Sequence, residues 1–90
     1  KNIFIPNSFS PNEDGVNDEW KVYAKSITKI EIELYRKTGE LLFRTTDIAK
    51  GWNGNFRGEP CIPDGYTYVV RATYLDGLNE KYVGILNLIR

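Results

Sequence analysis

The sequence contains no histidine and no methionine, and only one cysteine. Its charge balances, with 12 basic and 12 acidic side chains in 90 residues. Each shortage excludes something. Without histidine there is no Ser-His or Cys-His nucleophile pair, and the side chain that most often moves protons near neutral pH is missing. A single cysteine forms no intrachain disulfide, and no Cys/His set exists for a structural zinc site. A net charge of zero argues against a nucleic-acid footprint, which needs a basic face. No apolar run approaches the ~18 residues that a membrane span requires, so no membrane insertion is expected. The length allows one domain, residues 1–90, with a thin core: a chain this short buries only ~60–65% of the surface its unfolded form exposes. It opens on Lys1 and shows no signal segment, as expected of a domain excised from a longer protein.

What is present points to strands. Aromatic residues make up 13% of the chain, mostly Tyr, beside many β-branched residues. No stretch sustains a 3.6-residue apolar period, whereas several alternate with period two. Ile30, Ile32 and Leu34 alternate with Glu31, Glu33 and Tyr35, predicting a half-buried strand. Leu41–Phe43 follows across Lys37-Thr38-Gly39-Glu40, a hairpin signal. Tyr66, Tyr68, Val70, Ala72 and Tyr74 form a longer alternating run. Asp76-Gly77 turns the chain, and Tyr82–Ile89 returns as its partner. Ile3–Ile5 and Trp20–Ala24 add two more. Some seven strands at this spacing predict an all-β fold, a small immunoglobulin-like antiparallel β-sandwich.

Two long turn-rich segments carry the candidate sites. In Pro6–Glu19, the oxygens of Ser10, Asn12, Asp14, the Val16 carbonyl and Asp18 fall at every second position, with Gly15 after the third. That spacing partly matches loops that wrap Ca²⁺. Lys21 stands where a full helix-loop-helix site needs a bidentate Glu, so only a partial single-loop site fits. The competing reading is a self-stabilised turn in which Asn and Asp bond the backbone two residues on. In Lys50–Gly65, Trp52 between glycines reads either as a stacking platform for a sugar or peptide, or as an aromatic lid on the thin core. Pro60 and Pro63 mark where strand pairing stops. Cys61 lacks a partner base and reads as a small hydrophobe.

These segments, FIPNSFSPNEDGVNDEW, LYRKTGELLF, GWNGNFRGEPCIPDGYTYVV and GILNLIR, together resemble the gliding-motility-associated C-terminal domain, the type B sorting domain of the type IX secretion system. The resemblance spans essentially the whole chain. It places one signature on Phe9, Pro11, Asn12, Glu13, Asp14, Gly15, Asn17 and Asp18. It places a second on Trp52, Asn53 and Gly54, with Asn53 replacing the usual Asp, and a third on Gly65, Tyr66 and Tyr68. It implies an immunoglobulin-like sandwich without catalytic activity that directs a larger cargo protein, through the periplasm and across the outer membrane, to the cell surface or medium. Implied partners are the N-terminal cargo domains of the same chain and outer-membrane machinery of the PorP/SprF kind. The final strand is the candidate recognition element, on Tyr82, Gly84, Leu86, Leu88 and Arg90, because a sheet edge can be extended by a partner strand. The other readings are a carbohydrate- or ligand-binding module and a structural spacer of a surface protein.

Overall fold

The computed structural model describes residues 2–11 and 19–90. These form β1 (Ile3–Phe4), β2 (Ser8–Phe9), β3 (Tyr23–Ala24), β4 (Ile27–Tyr35), β5 (Leu41–Thr45), β6 (Asn55–Phe56), β7 (Glu59–Pro60), β8 (Asp64–Tyr74) and β9 (Asn79–Leu88). No helix occurs among the described residues. The fold is all-β, a small β-sandwich. Its main layer is a five-stranded sheet in the order β2-β9-β8-β4-β5. The short pairs β1-β3 and β6-β7 supply the rest of the strands.

The alternation seen in the sequence sets the faces of the main sheet. Ile30, Ile32 and Leu34 of β4, Tyr66 and Val70 of β8, and Leu86 and Leu88 of β9 enter one hydrophobic core. Trp20, Val22, Trp52 and Cys61 meet them there from outside the main sheet. Burying one such aliphatic side chain contributes about 1.5–3 kcal/mol. On the opposite face Glu31 and Glu33 lie between Arg71 and Arg44. Arg71 Nη1 sits 3.1 Å from Glu31 and 3.0 Å from Glu33, and Arg44 also pairs with Glu31. These pairs are solvent-facing and supply ~0–1 kcal/mol each, so the core rather than the ion network holds the sheet.

The turns follow their glycines. Gly39 has φ 95° in the β4–β5 connection, and Gly77 has φ 85° between β8 and β9, both values that favour glycine. Three features depart from the predicted antiparallel sandwich. β2 pairs parallel with β9, Ser8 against Asn87 and Phe9 against Leu88. The expected Trp20–Ala24 strand is regular only at Tyr23–Ala24, because Trp20 bridges Trp52 instead of pairing with β1. The tryptophan segment, expected as a loop, contains the small antiparallel hairpin β6–β7.

Candidate functional site

The two tryptophans meet backbone to backbone. The amide of Trp20 donates to the Trp52 carbonyl at 2.8 Å, and the amide of Trp52 donates back at 3.0 Å. Gly51 makes this approach possible: a Cβ there would lie 2.6 Å from the Trp20 carbonyl oxygen. Both rings are 2% exposed. Each indole N–H still finds an acceptor, Trp20 Nε1 on the Pro6 carbonyl at 2.8 Å and Trp52 Nε1 on the Asn55 carbonyl at 2.9 Å. A buried indole needs such a partner, because an unpaired buried donor costs about 1–3 kcal/mol. Trp52 also lies edge-on to Tyr66, with ring centroids 5.7 Å apart, and 6.2 Å from Phe9. The stacking-platform reading is therefore overturned: the ring has no open face, and Trp52 belongs to the core.

Around this cluster the signature segments close into one pole. Asn53 Oδ1 accepts the Asn55 amide at 2.9 Å, an Asx turn that an amide oxygen makes as well as a carboxylate does. Gly54 follows with φ 89°, and a Cβ on it would press on Pro11 at 3.0 Å and on Arg90 at 3.1 Å. The Gly54 carbonyl accepts from the Cys61 amide at 2.9 Å and from Arg90 Nη2 at 2.9 Å. Arg90 Nε reaches the Cys61 carbonyl at 3.0 Å. One guanidinium thus holds both sides of the chain flanking β6–β7, which suits its planar fork of donors. On the other side, the Asn87 and Ile89 amides donate to Asn7 and Phe9, each at 2.9 Å. The Tyr66 hydroxyl donates to the Ile62 carbonyl at 2.5 Å. Burial pushes the Cys61 thiol and the Tyr66 phenol above their ordinary pKa values, so both stay neutral. A protonated, enclosed thiol is no nucleophile.

Tyr68 lies directly opposite Gly84 in the β8–β9 ladder, and its ring packs 6.0 Å from Trp20. A Cβ on Gly84 would fall 2.3 Å from the Tyr68 hydroxyl oxygen. The tyrosine covers the glycine of the last strand, which fixes both residue types at once.

The structure therefore brings Phe9, Pro11, Trp52, Gly54, Tyr66, Leu88 and Arg90 together, with Gly65 at the start of β8 next to Ile85. Asn12, Glu13, Asp14, Gly15, Val16, Asn17 and Asp18 lie outside the described residues, and with them all of the Ca²⁺ reading except Ser10, which is exposed. In the candidate recognition strand, the side chains of Leu86 and Leu88 are 0% and 2% exposed and fill the core, which leaves the strand's backbone edge as the part a partner could pair with. Tyr82 and Gly84 share their inward face and are partly covered, and Arg90 is spent on the two carbonyls. The reason is the two-residue period: once Leu86 and Leu88 point in, the alternate residues Val83 and Ile85 must point out, where they are 60% and 51% exposed. Sequence reasoning named the strand without assigning its inward and outward side chains, although the alternation carries that assignment. It also missed the capping role of Arg90, which has no sequence signal.

A comparison with curated proteins finds no match. Residues 3–88 match the family model of CHU_C, the type IX secretion signal domain. That match runs through both signature segments and the final strand. The chain belongs to the CHU_C family of type IX secretion signal domains, which mark a larger cargo chain for export toward the cell surface or medium.

Proposed function

We propose that this domain works as a folded, non-catalytic address, read from its surface by outer-membrane machinery after the cargo has passed through the periplasm. A PorP/SprF-like outer-membrane protein is the reader. The observation that carries this is how the signature residues are used. Among the described residues, the signature residues Trp52, Gly54 and Tyr66, with Arg90 beside them, direct their polar groups at main-chain groups or at each other and leave no cleft where those groups converge on a substrate. A signature spent on shape favours recognition of that shape. Trp52, at 2% exposure, offers a sugar nothing to stack on, which counts against the glycan-binding alternative.

The test fuses residues 1–90 behind a periplasmic reporter in a host that has type IX secretion. The wild-type fusion is expected in the medium or on the surface. A Trp52→Ala fusion, which loses the folded pole, is expected to stay in the periplasm. Retention of the wild-type fusion would overturn the address reading. Equal export of an unfolded Trp52→Ala fusion would overturn the requirement for the folded state.

A further inference from the structure

The main sheet has an edge that the fold leaves open. β9 pairs with β8 along its whole length, from Asn79 to Leu88. On its other side β2 covers only Asn87 and Leu88. The amides of Asn87 and Ile89 point at β2. Backbone direction alternates along a strand, so the N–H and C=O groups of Lys81, Val83 and Ile85 point the same way, past the end of β2. Among the described residues nothing pairs with them. An unpaired strand edge is a template for another strand, and proteins usually blunt it with charge, proline or a bulge. Here the open stretch carries Val83 and Ile85, both exposed on the outer face, and no proline, and its one charged residue, Lys81, stands at its end. Its pairing with β8 shows no register shift.

Charge narrows the choice of occupant. Lys81 stands opposite Arg71 across the β8–β9 ladder. Arg71 is already satisfied by Glu31 and Glu33. Lys81 makes no ion pair with any described residue. An incoming strand therefore meets two apolar side chains and then an uncompensated ammonium. A second copy pairing antiparallel about Val83 would face Val83 with Val83 but set Lys81 against Ile85, leaving the ammonium unanswered.

We propose that the Lys81–Ile85 edge of β9 takes up an extended segment of a partner protein as an added strand, with two alternating apolar residues seated against Val83 and Ile85 and an acidic residue facing Lys81. This deepens the address reading and rests on it, the partner being part of the secretion machinery. Main-chain bonds to β9 supply affinity, and the apolar-apolar-acidic pattern supplies selectivity.

Val83→Pro tests the edge. The Val83 amide points away from β8, so proline removes a donor the fold does not use, and proline is tolerated on such edges. In the reporter fusion, Val83→Pro and Lys81→Glu are each expected to lower export roughly tenfold, while Lys81→Arg exports as wild type. Circular dichroism and thermal unfolding confirm that each variant folds. Should Val83→Pro fail to fold, Ile85→Lys, a substitution on the exposed face, takes its place. Export of folded variants at the wild-type level overturns the inference while leaving the address reading intact, whereas retention of the wild-type fusion overturns both. Sedimentation of the purified chain as a dimer that Val83→Pro converts to a monomer would assign the edge to a second copy and also overturn the proposal.

Discussion

Arg90 offers the sharpest test of how the pole is held. Its guanidinium donates at 2.9 Å to the Gly54 carbonyl and at 3.0 Å to the Cys61 carbonyl. A hydrogen bond from a charged donor is worth about 1.5–3 kcal/mol when well enclosed. Arg90 is an exposed residue whose two bonds are only partly buried, so water replaces part of each on truncation. Arg90→Ala should then cost about 1–3 kcal/mol in total, below the sum of two fully buried bonds. For a domain of this size each kcal/mol moves the melting temperature by roughly 4–8 °C, so a fall of about 5–20 °C is expected. Arg90→Lys keeps the charge but not the fork, reaches one carbonyl at a time, and should recover less than half of the loss. The acceptors are neutral carbonyls, so the difference should persist at high salt, unlike that of a surface ion pair. Near-ultraviolet circular dichroism follows the packed tryptophans during melting, and hydrogen exchange at the Cys61 amide reports the neighbouring bond to Gly54. An Arg90→Ala protein with the wild-type melting temperature and the wild-type Cys61 exchange rate would refute this account. It would reduce Arg90 to a solvated side chain.

Two further outcomes follow from the same packing. Trp52→Ala removes a ring that is 2% exposed and should cost about 3–5 kcal/mol, lowering the melting temperature by at least ~12 °C; a shift below ~5 °C would mean the ring is not a core element. Stability should also fall at both ends of the pH range. Hydrogen bonding and charge from Arg44 hold the Glu31 carboxyl below its ordinary value, so its contribution is present above the unfolded pKa and is lost as pH drops through the lower folded value. Burial, aided by the hydrogen bond with Tyr82, pushes Tyr74 up to about 12, so its contribution is complete below the unfolded value of roughly 10 and disappears as pH rises through the folded one. Melting temperatures measured across pH should show both limbs, and Tyr74→Phe should flatten the alkaline one.

The long strands were legible because one face of each is buried and period two is then imposed on the sequence. Ile30, Ile32 and Leu34 in β4 and Tyr66, Val70 and Ala72 in β8 are inward-facing as that period predicts. β2 was not legible, since two residues between Pro6 and Pro11 are too few to show a period, and their pairing with β9 depends on contacts made far along the chain. The β6–β7 hairpin was hidden for a similar reason: Gly54 and Gly58 read as turn chemistry, and so they are, but Pro60, expected where strand pairing stops, instead pairs with Asn55 in a two-residue strand. The pole was half legible. Glycine and tryptophan announced a special backbone without saying that Gly51 exists for the Trp20 carbonyl, or that Gly54 leaves room for Arg90. Contacts of that kind join segments whose spacing along the chain carries no information about their spacing in the fold.

The parallel pairing of β2 with β9 also has a consequence in time. Asn87 donates its side-chain amide to the Asn7 carbonyl across 80 positions of sequence, beside the main-chain bonds of the same strand pair. Contacts between such distant residues form late, because the loop they close must first be brought together at an entropic cost, and folds dominated by them assemble in milliseconds to seconds rather than microseconds. Until its final strand arrives, the domain lacks one of the two partners of β8, the partner for β2 and the guanidinium that fastens the tryptophan hairpin. A chain cut short before β9 would present no shape to a reader of shape. Closure of the main sheet by β9 and legibility of the label therefore become the same event.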